Sequence, residues 1–229
     1  MVFLSYGTRP RIAIFSMVSM VAVGLIAIAW SLWWSPTTSA RILGSTDSSS
    51  TMSNSTCNVA VTASCQRLRS ELGATAVILP SDSQYSALRE ENWSQTTWQH
   101  PICIAIPGSA VDVQKLVSEL AANEIPFAVR SGGHSPNPFD ANIDVGVLIA
   151  LNNLDEVTYH DETGLASIGP GARWDAVYTA LDPYNVTVVG GRVMDVGVGG
   201  LILGGGLSYL SDLYGLACDN VQSFEVTNH

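Results

Sequence analysis

From Val189 to Leu207 the chain reads VGGRVMDVGVGGLILGGGL, with glycines set among Val, Leu, Ile and Met rather than among polar residues. Each glycine inside a helix costs about 1 kcal/mol relative to alanine, so this segment is not expected to form an ordinary stable helix. A disordered linker would not need the interspersed apolar residues. Backbone that approaches a large planar ligand uses both features, since glycine removes the side chain and its neighbours supply apolar contact. The competing reading, a tightly packed glycine-rich sheet edge, stands level with it on these residues alone.

A second glycine element lies upstream. Arg130-Ser131-Gly132-Gly133-His134-Ser135 follows the strand-like run IPFAVR. Gly132 and Gly133 allow positive φ and bring successive N–H groups close to an anion, within reach of His134. Surface β-turns use such glycines too, so the hexapeptide alone is a weak signal. Neither element has GxGxxG between a strand and a helix followed by an acidic ribose contact, which argues against a dinucleotide fold of the Rossmann type.

The remaining pattern alternates short apolar runs with amphipathic ones. A short helix is expected over residues 65–72, then strands in ATAVILP and ICIAIP. Val113, Leu116, Val117 and Leu120 recur at helical spacing, and IPFAVR returns to strand, giving a strand–helix–strand unit that runs into the Gly-Gly-His turn. GVLIALNNL and GLASIGPG are further strands separated by the turn-like YHDETG. A helix over residues 173–181 ends at Asp182-Pro183, and NVTVVGG reads as another strand.

The first residues differ from the rest. Residues 12–34 carry no charge and are long enough to span a bilayer, and Arg9 and Arg11 precede them. An uncleaved anchor with a cytosolic N-terminus is favoured over a cleaved signal, because the run exceeds a usual signal core and ends at Trp33-Trp34. Both place the folded part in a lumen or outside the cell. The expected layout is a basic N-terminus over 1–11, the apolar segment over 12–34, a Ser/Thr-rich stalk over 35–56 and a folded region over 57–229. Sequons at Asn54, Asn92 and Asn185 suit glycosylation in that compartment, and four cysteines suit disulfides whose pairing the sequence leaves open. No metal-ligand spacing occurs. A net charge of −10 with only 10 Lys and Arg argues against nucleic acid as a partner.

AVRSGGHSPNPFDANIDVGVLIALNNL and the later stretch SIGPGARWDAVYTALDPYNVTVVGGRVMDVGVGGLILGGGLSYLSDLYGLACDNVQSFEV, taken together and in this order, closely resemble fungal FAD-linked oxidases. These belong to the PCMH-type flavoprotein family, near the berberine bridge enzyme-like group, and the resemblance covers about residues 65–229. It implies an α+β, vanillyl-alcohol-oxidase-like FAD-binding domain, and FAD as the cofactor. It implies that His134 bonds covalently to the 8α-methyl of FAD, and that Arg130, Ser131, Gly132, Gly133 and Ser135 belong to the loop at the pyrophosphate. Gly169, Gly171 and Ala172 match a neighbouring GAGAR-like segment, with Pro170 in its usual Ala or Gly place. Gly190, Gly191, Gly197, Gly199, Gly200, Gly205, Asp219, Asn220 and Val221 match further cofactor positions.

Relatives with a second flavin bond carry a cysteine where this chain has Val193, so one bond is implied. Asp195 is unusual beside this loop; buried it would perturb the flavin, exposed it would not. The resemblance also implies a Cys65–Cys103 disulfide, and oxidation of a small organic substrate with O2 as electron acceptor. The expectation for the end of the chain is that it stops within the FAD-binding domain, before the family's substrate domain. A non-catalytic, membrane-anchored flavin-binding or interaction protein is therefore the alternative to an oxidoreductase.

Overall fold

The structure, a computed structural model, describes residues 4–7 and 54–227. The apolar segment 12–34 and nearly all of the stalk lie outside the described residues, as do the side chains of Asn54 and Cys57. Among the described residues, no helix is long and apolar enough to cross a membrane.

The elements run β1 (Leu4–Gly7), α1 (Asn54–Leu72), β2 (Val77–Ile78), α2 (Tyr85–Arg89), β3 (Cys103–Ala105), α3 (Ala110–Ala122), β4 (Phe127–Arg130) and β5 (Val147–Ala150). They continue with β6 (Val157–His160), β7 (Leu165–Ile168), α4 (Trp174–Leu181), α5 (Val198–Leu203), α6 (Ser211–Tyr214) and β8 (Val221–Phe224). They build two four-stranded sheets, ordered β2-β3-β5-β4 and β6-β7-β1-β8.

In the first sheet β3, β5 and β4 are parallel and β2 is antiparallel to β3. The expected strand–helix–strand unit is present as β3-α3-β4, but β5 lies between its two strands. Ser109 starts α3 by accepting the Asp112 N–H on its hydroxyl. The helix then buries Val113, Leu116 and Leu120, one face of a 3.6-residue repeat. These pack with Val61 and Leu68 of α1 against Val147 and Ile149. Ile104, Leu148 and Ala150 face the other way, toward Tyr85 of α2. β5 is thus covered on both faces, which explains its unbroken apolar sequence. The Cys65–Cys103 disulfide joins α1 to β3, with Cα atoms 6.1 Å apart.

The second sheet is antiparallel throughout, and α4 and α5 cover it with Trp174, Val177, Leu181, Val198 and Ile202 around Ala166 and Ile168. β1 fills the place between β7 and β8. A single span through residues 12–34 would put β1 and its two neighbours on opposite sides of a membrane. That topology and this pairing exclude each other.

Four local expectations change. α1 begins at Asn54, inside the stretch expected as stalk, well before residue 65. NVTVVGG is not a strand: Asn185 takes a left-handed turn (φ 53°) and the glycines pack on a tryptophan ring. Tyr159 and His160, expected within the turn-like YHDETG, instead end strand β6, which pairs along β7. The glycine-rich stretch does contain a helix, α5, limited to Val198–Leu203 and ended at Gly204.

Candidate functional site

Strand β4 ends at Arg130, and its alternation buries that residue while Val129 faces outward. The guanidinium is 1% exposed and donates to Leu88 O at 2.6 Å, to Asn92 Oδ1 at 3.1 Å and to Glu91 Oε2 at 2.6 Å. Burial pushes its pKa down, opposed by the Glu91 carboxylate. Both terminal nitrogens of this cation are engaged by protein. Arg130 thus braces the loop from beneath through Leu88, Asn92 and Glu91.

The next five residues behave differently. Among the described residues, none of the backbone N–H groups from Ser131 to Ser135 has a hydrogen-bond acceptor. Buried main-chain donors are almost always satisfied, so a run of open donors around the buried Gly132 and Gly133 marks a place for an anion. Gly133 turns the chain at φ +66°, where a side chain is strained. Gly132 meets Gly197: a Cβ on Gly132 would lie 2.3 Å from Gly197 N, and one on Gly197 would lie 2.2 Å from Gly132 N. The two glycine elements singled out in the sequence thus touch, main chain to main chain. Gly199 packs beside them on Ser131 and Pro170, and the Ser131 hydroxyl donates to Pro170 O at 2.5 Å. Ser135 is turned away, its hydroxyl donating to Asp140 Oδ2 at 2.7 Å.

Other glycines serve packing. The N–H groups of Gly169, Gly171 and Ala172 donate to Glu156 O, Leu154 O and Gly169 O, which leaves none for a phosphate. What fixes glycine there is the 151–155 turn, since a Cβ on Gly169 or Gly171 would strike the Leu154 or Leu151 carbonyl. Gly190 and Gly191 lie against the buried Trp174 ring, with no space for a Cβ. Asp219 accepts the Leu216 N–H at 2.8 Å, and the Asn220 amide donates to Tyr214 O and Leu216 O. Those side chains lock their own turn, Val221 packs on the second core, and Gly205 (φ +93°) bonds through its carbonyl to the Cys218 N–H. Asp195 is exposed and paired with Arg173 at 3.0 Å, a surface ion pair rather than a buried charge.

Gly200 is the exception. It is exposed, in α5, and nothing lies within 4 Å of where its Cβ would be.

His134 is half-buried at the mouth of the loop, and neither ring nitrogen has a hydrogen-bond partner among the described residues. Its imidazole stacks on Trp93, with centroids 5.0 Å apart and planes 15° from parallel. The Trp93 N–H donates to Gly133 O at 3.0 Å. Sequence reasoning missed Trp93, Glu91 and Asn92, having read NWS only as a sequon. Asn92 is 2% exposed, and its amide donates to Ala141 O while its oxygen holds Arg130. A glycan on Asn92 would require that residue to leave the brace, whereas Asn185 is exposed.

A profile of the family described as FAD binding domain matches residues 101–229, more than half of the chain. The chain belongs to the PCMH-type FAD-binding flavoproteins. FAD is the cofactor of this family and of this domain. The chain is 49% identical over 146 residues to an FAD-dependent monooxygenase of Arthrobotrys oligospora, covering 63% of this chain and 28% of that protein. It is 42% identical over 175 residues to another of Cochliobolus heterostrophus, covering 74% and 34%. Among solved structures, 6-hydroxy-D-nicotine oxidase of Arthrobacter nicotinovorans matches with a TM-score of 0.59 and 34% identity, over 62% of this chain and 31% of that one. The BBE-like 1 protein of Physcomitrella patens matches with a TM-score of 0.61 and 25% identity, over 68% and 34%. The chain spans about a third of the length of these relatives. Its own residues suit the flavoprotein assignment: open N–H groups where a pyrophosphate needs donors, and glycines at the closest approaches.

Proposed function

We propose that the chain is the FAD-holding part of an oxidoreductase, with FAD bound covalently through His134 and its pyrophosphate at the N–H groups of residues 131–135. The observation that carries this reading is the run of open donors ending at an imidazole whose two nitrogens are both unengaged. Bound there, FAD supplies two-electron oxidation of a small organic substrate, with O2 as electron acceptor. The chain's residues do the holding. Main-chain dipoles of the 131–135 loop offset the phosphate charge without lysines. Gly132 and Gly197 let the two loops close to contact distance. Arg130, fixed by Glu91 and Asn92, sets where β4 stops and the loop begins. Attachment would join a His134 nitrogen to the 8α carbon of FAD at the expense of one C–H and one N–H bond. The two electrons and two protons so released would pass to O2, giving hydrogen peroxide.

The test is flavin retention. The full chain is expressed, acid-denatured and digested; flavin absorbance stays with the precipitated protein, and the peptide carrying His134 gains the flavin mass. His134→Ala abolishes both while still binding FAD reversibly. Free FAD after denaturation of the wild type would overturn the covalent assignment.

A lumenal or extracellular location is part of the proposal, by an anchor at 12–34 or by secretion after its removal. The uncharged segment, the exposed Asn185 sequon and the buried disulfide support it. On this reading the layout 1–11, 12–34, 35–56 and 57–229 holds, with α1 reaching three residues into the stalk. Either route takes β1 out of its place between β7 and β8. Alkaline extraction of membranes separates the two routes, and recovery of all the protein as a soluble chain with an intact N-terminus would refute both.

A further inference from the structure

The loop that carries His134 is held by a segment that the sequence marked only through the sequon at Asn92. Asn92 is bound to Arg130, the Trp93 N–H to Gly133 O, the Trp98 Nε1–H to Asn92 O at 2.9 Å, and the Thr96 hydroxyl to Pro136 O at 2.7 Å. Residues 92–98 are therefore fastened to both ends of the loop. From this brace Trp93 projects a ring that is 62% exposed and stacked on the imidazole. An indole so exposed is not part of the core, and its ring contact is with His134.

We propose that Trp93 is a positioning residue, which sets the plane of the His134 ring for bonding to the flavin. The proposal rests on the covalent reading above. A side chain with no hydrogen bond at either nitrogen has nothing polar to fix its torsions, and half-exposed rings change rotamer within nanoseconds. Bond formation requires the attacking nitrogen's lone pair to aim at the carbon, and that lone pair lies in the ring plane. A partner on the face of the ring fixes the plane and leaves both nitrogen edges open, whereas a hydrogen-bonding partner would occupy one of them. The 15° stack has this geometry. Because the Trp93 main chain is tied to Gly133, the carbonyl just before His134, the two rings are referenced to the same short piece of backbone. Holding a reactant near its bonding geometry raises the rate without changing the chemistry.

The experiment measures covalent attachment over time after FAD is added to the flavin-free full chain, with total bound flavin measured in parallel. Trp93→Ala keeps the N–H to Gly133 O, and is expected to bind FAD to wild-type occupancy and attach it about tenfold more slowly. Trp93→Phe, which restores a stack, is expected to recover to within about threefold of the wild type. Attachment by Trp93→Ala at the wild-type rate would overturn the proposal. If Trp93→Ala does not fold, Trp93→Phe is compared with Trp93→Leu: both fill the position and only one stacks, so equal rates would overturn it. A structural role alone would lower the unfolding midpoint and total occupancy together, and would not respond to aromatic rescue. A wild type with no covalent flavin refutes the attachment reading itself. The positioning claim is then decided in the flavin-free chain by proton NMR of the His134 ring, assigned by its loss in His134→Ala. Ring-current displacement that disappears in Trp93→Ala and persists in Trp93→Phe supports it, and resonances unmoved in Trp93→Ala refute it.

Discussion

Replacing Gly200 by alanine separates what the fold needs from what the cofactor needs. At Gly132, Gly197 and Gly199 the neighbouring protein already excludes or crowds a Cβ, so substitution there cannot tell the two apart. Gly200 lies in α5 with nothing within 4 Å of its absent Cβ, and its φ is not in the left-handed range. Nothing in the protein calls for glycine at this position. Alanine is preferred in helices, so Gly200→Ala is expected to stabilise the flavin-free chain by about 0.5–1 kcal/mol. Under the proposed function that open space faces FAD, and a methyl group forced into a packed contact costs about 1–3 kcal/mol. The dissociation constant for FAD should then rise about tenfold. Covalent attachment would hide this, so the affinity is measured by flavin fluorescence quenching in a His134→Ala background, with stability measured by urea unfolding of the flavin-free protein. Stability up and affinity down is the expected pair. An affinity unchanged within about twofold would remove Gly200 from the cofactor site. A loss of stability would refute the reading of the open space.

Three further outcomes follow from the scaffold. The Cys65–Cys103 bond spans 38 residues, and the chain-entropy relation gives it about 4 kcal/mol; Cys65→Ala/Cys103→Ala should lose about that much in urea unfolding, and a loss under about 1 kcal/mol would refute it. Glu91→Ala strands the 1%-exposed Arg130 and should cost about 3 kcal/mol, more than Arg130→Met, which leaves only a partly exposed carboxylate; the reverse order in thermal unfolding would contradict the brace. The Arg69 guanidinium, and then the Leu79 N–H, hold Asp82 below the usual carboxylate range. Its contribution is therefore fully present above that range and is lost as pH falls through the depressed folded value, so Asp82→Asn should flatten the acid limb of a stability–pH profile.

Much of the scaffold was legible because it rests on local periodicity. The α3 stripe and the apolar run of β5 are each decided by neighbours close in sequence. The NVTVVGG strand failed for the opposite reason: β-prone residues lost to the Trp174 ring, a partner distant from the local pattern. The site was legible as motifs but not as roles. RSGGHS and GVGG pointed to backbone approach, and Gly132 meeting Gly197 is that approach. Which glycines leave room for a ligand, and which leave room for a carbonyl or an indole, depends on tertiary neighbours. So does the use of Arg130, whose conspicuous charge in a phosphate-loop motif is spent on Glu91 and Asn92. Trp93 had no spacing signal, because its partner is a loop histidine and not a residue on a shared helix face.

The order β2-β3-β5-β4 places the last of these strands to be synthesised in the interior of the sheet. Among the described residues, strand β4 has no sheet partner other than β5, and the Arg130 carbonyl is bonded only when Leu151 arrives. The opposite wall of the loop, at Gly197 and Gly199, comes later still. At ribosomal speeds of about 5–20 residues per second, some 4–14 s separate translation of Arg130 from that of Gly200. Through that interval the histidine exists without its cradle. Under the proposed function, a nascent chain that carries flavin at His134 has been translated past Gly200, and flavin fluorescence on ribosome-bound chains would time synthesis of this part of the chain.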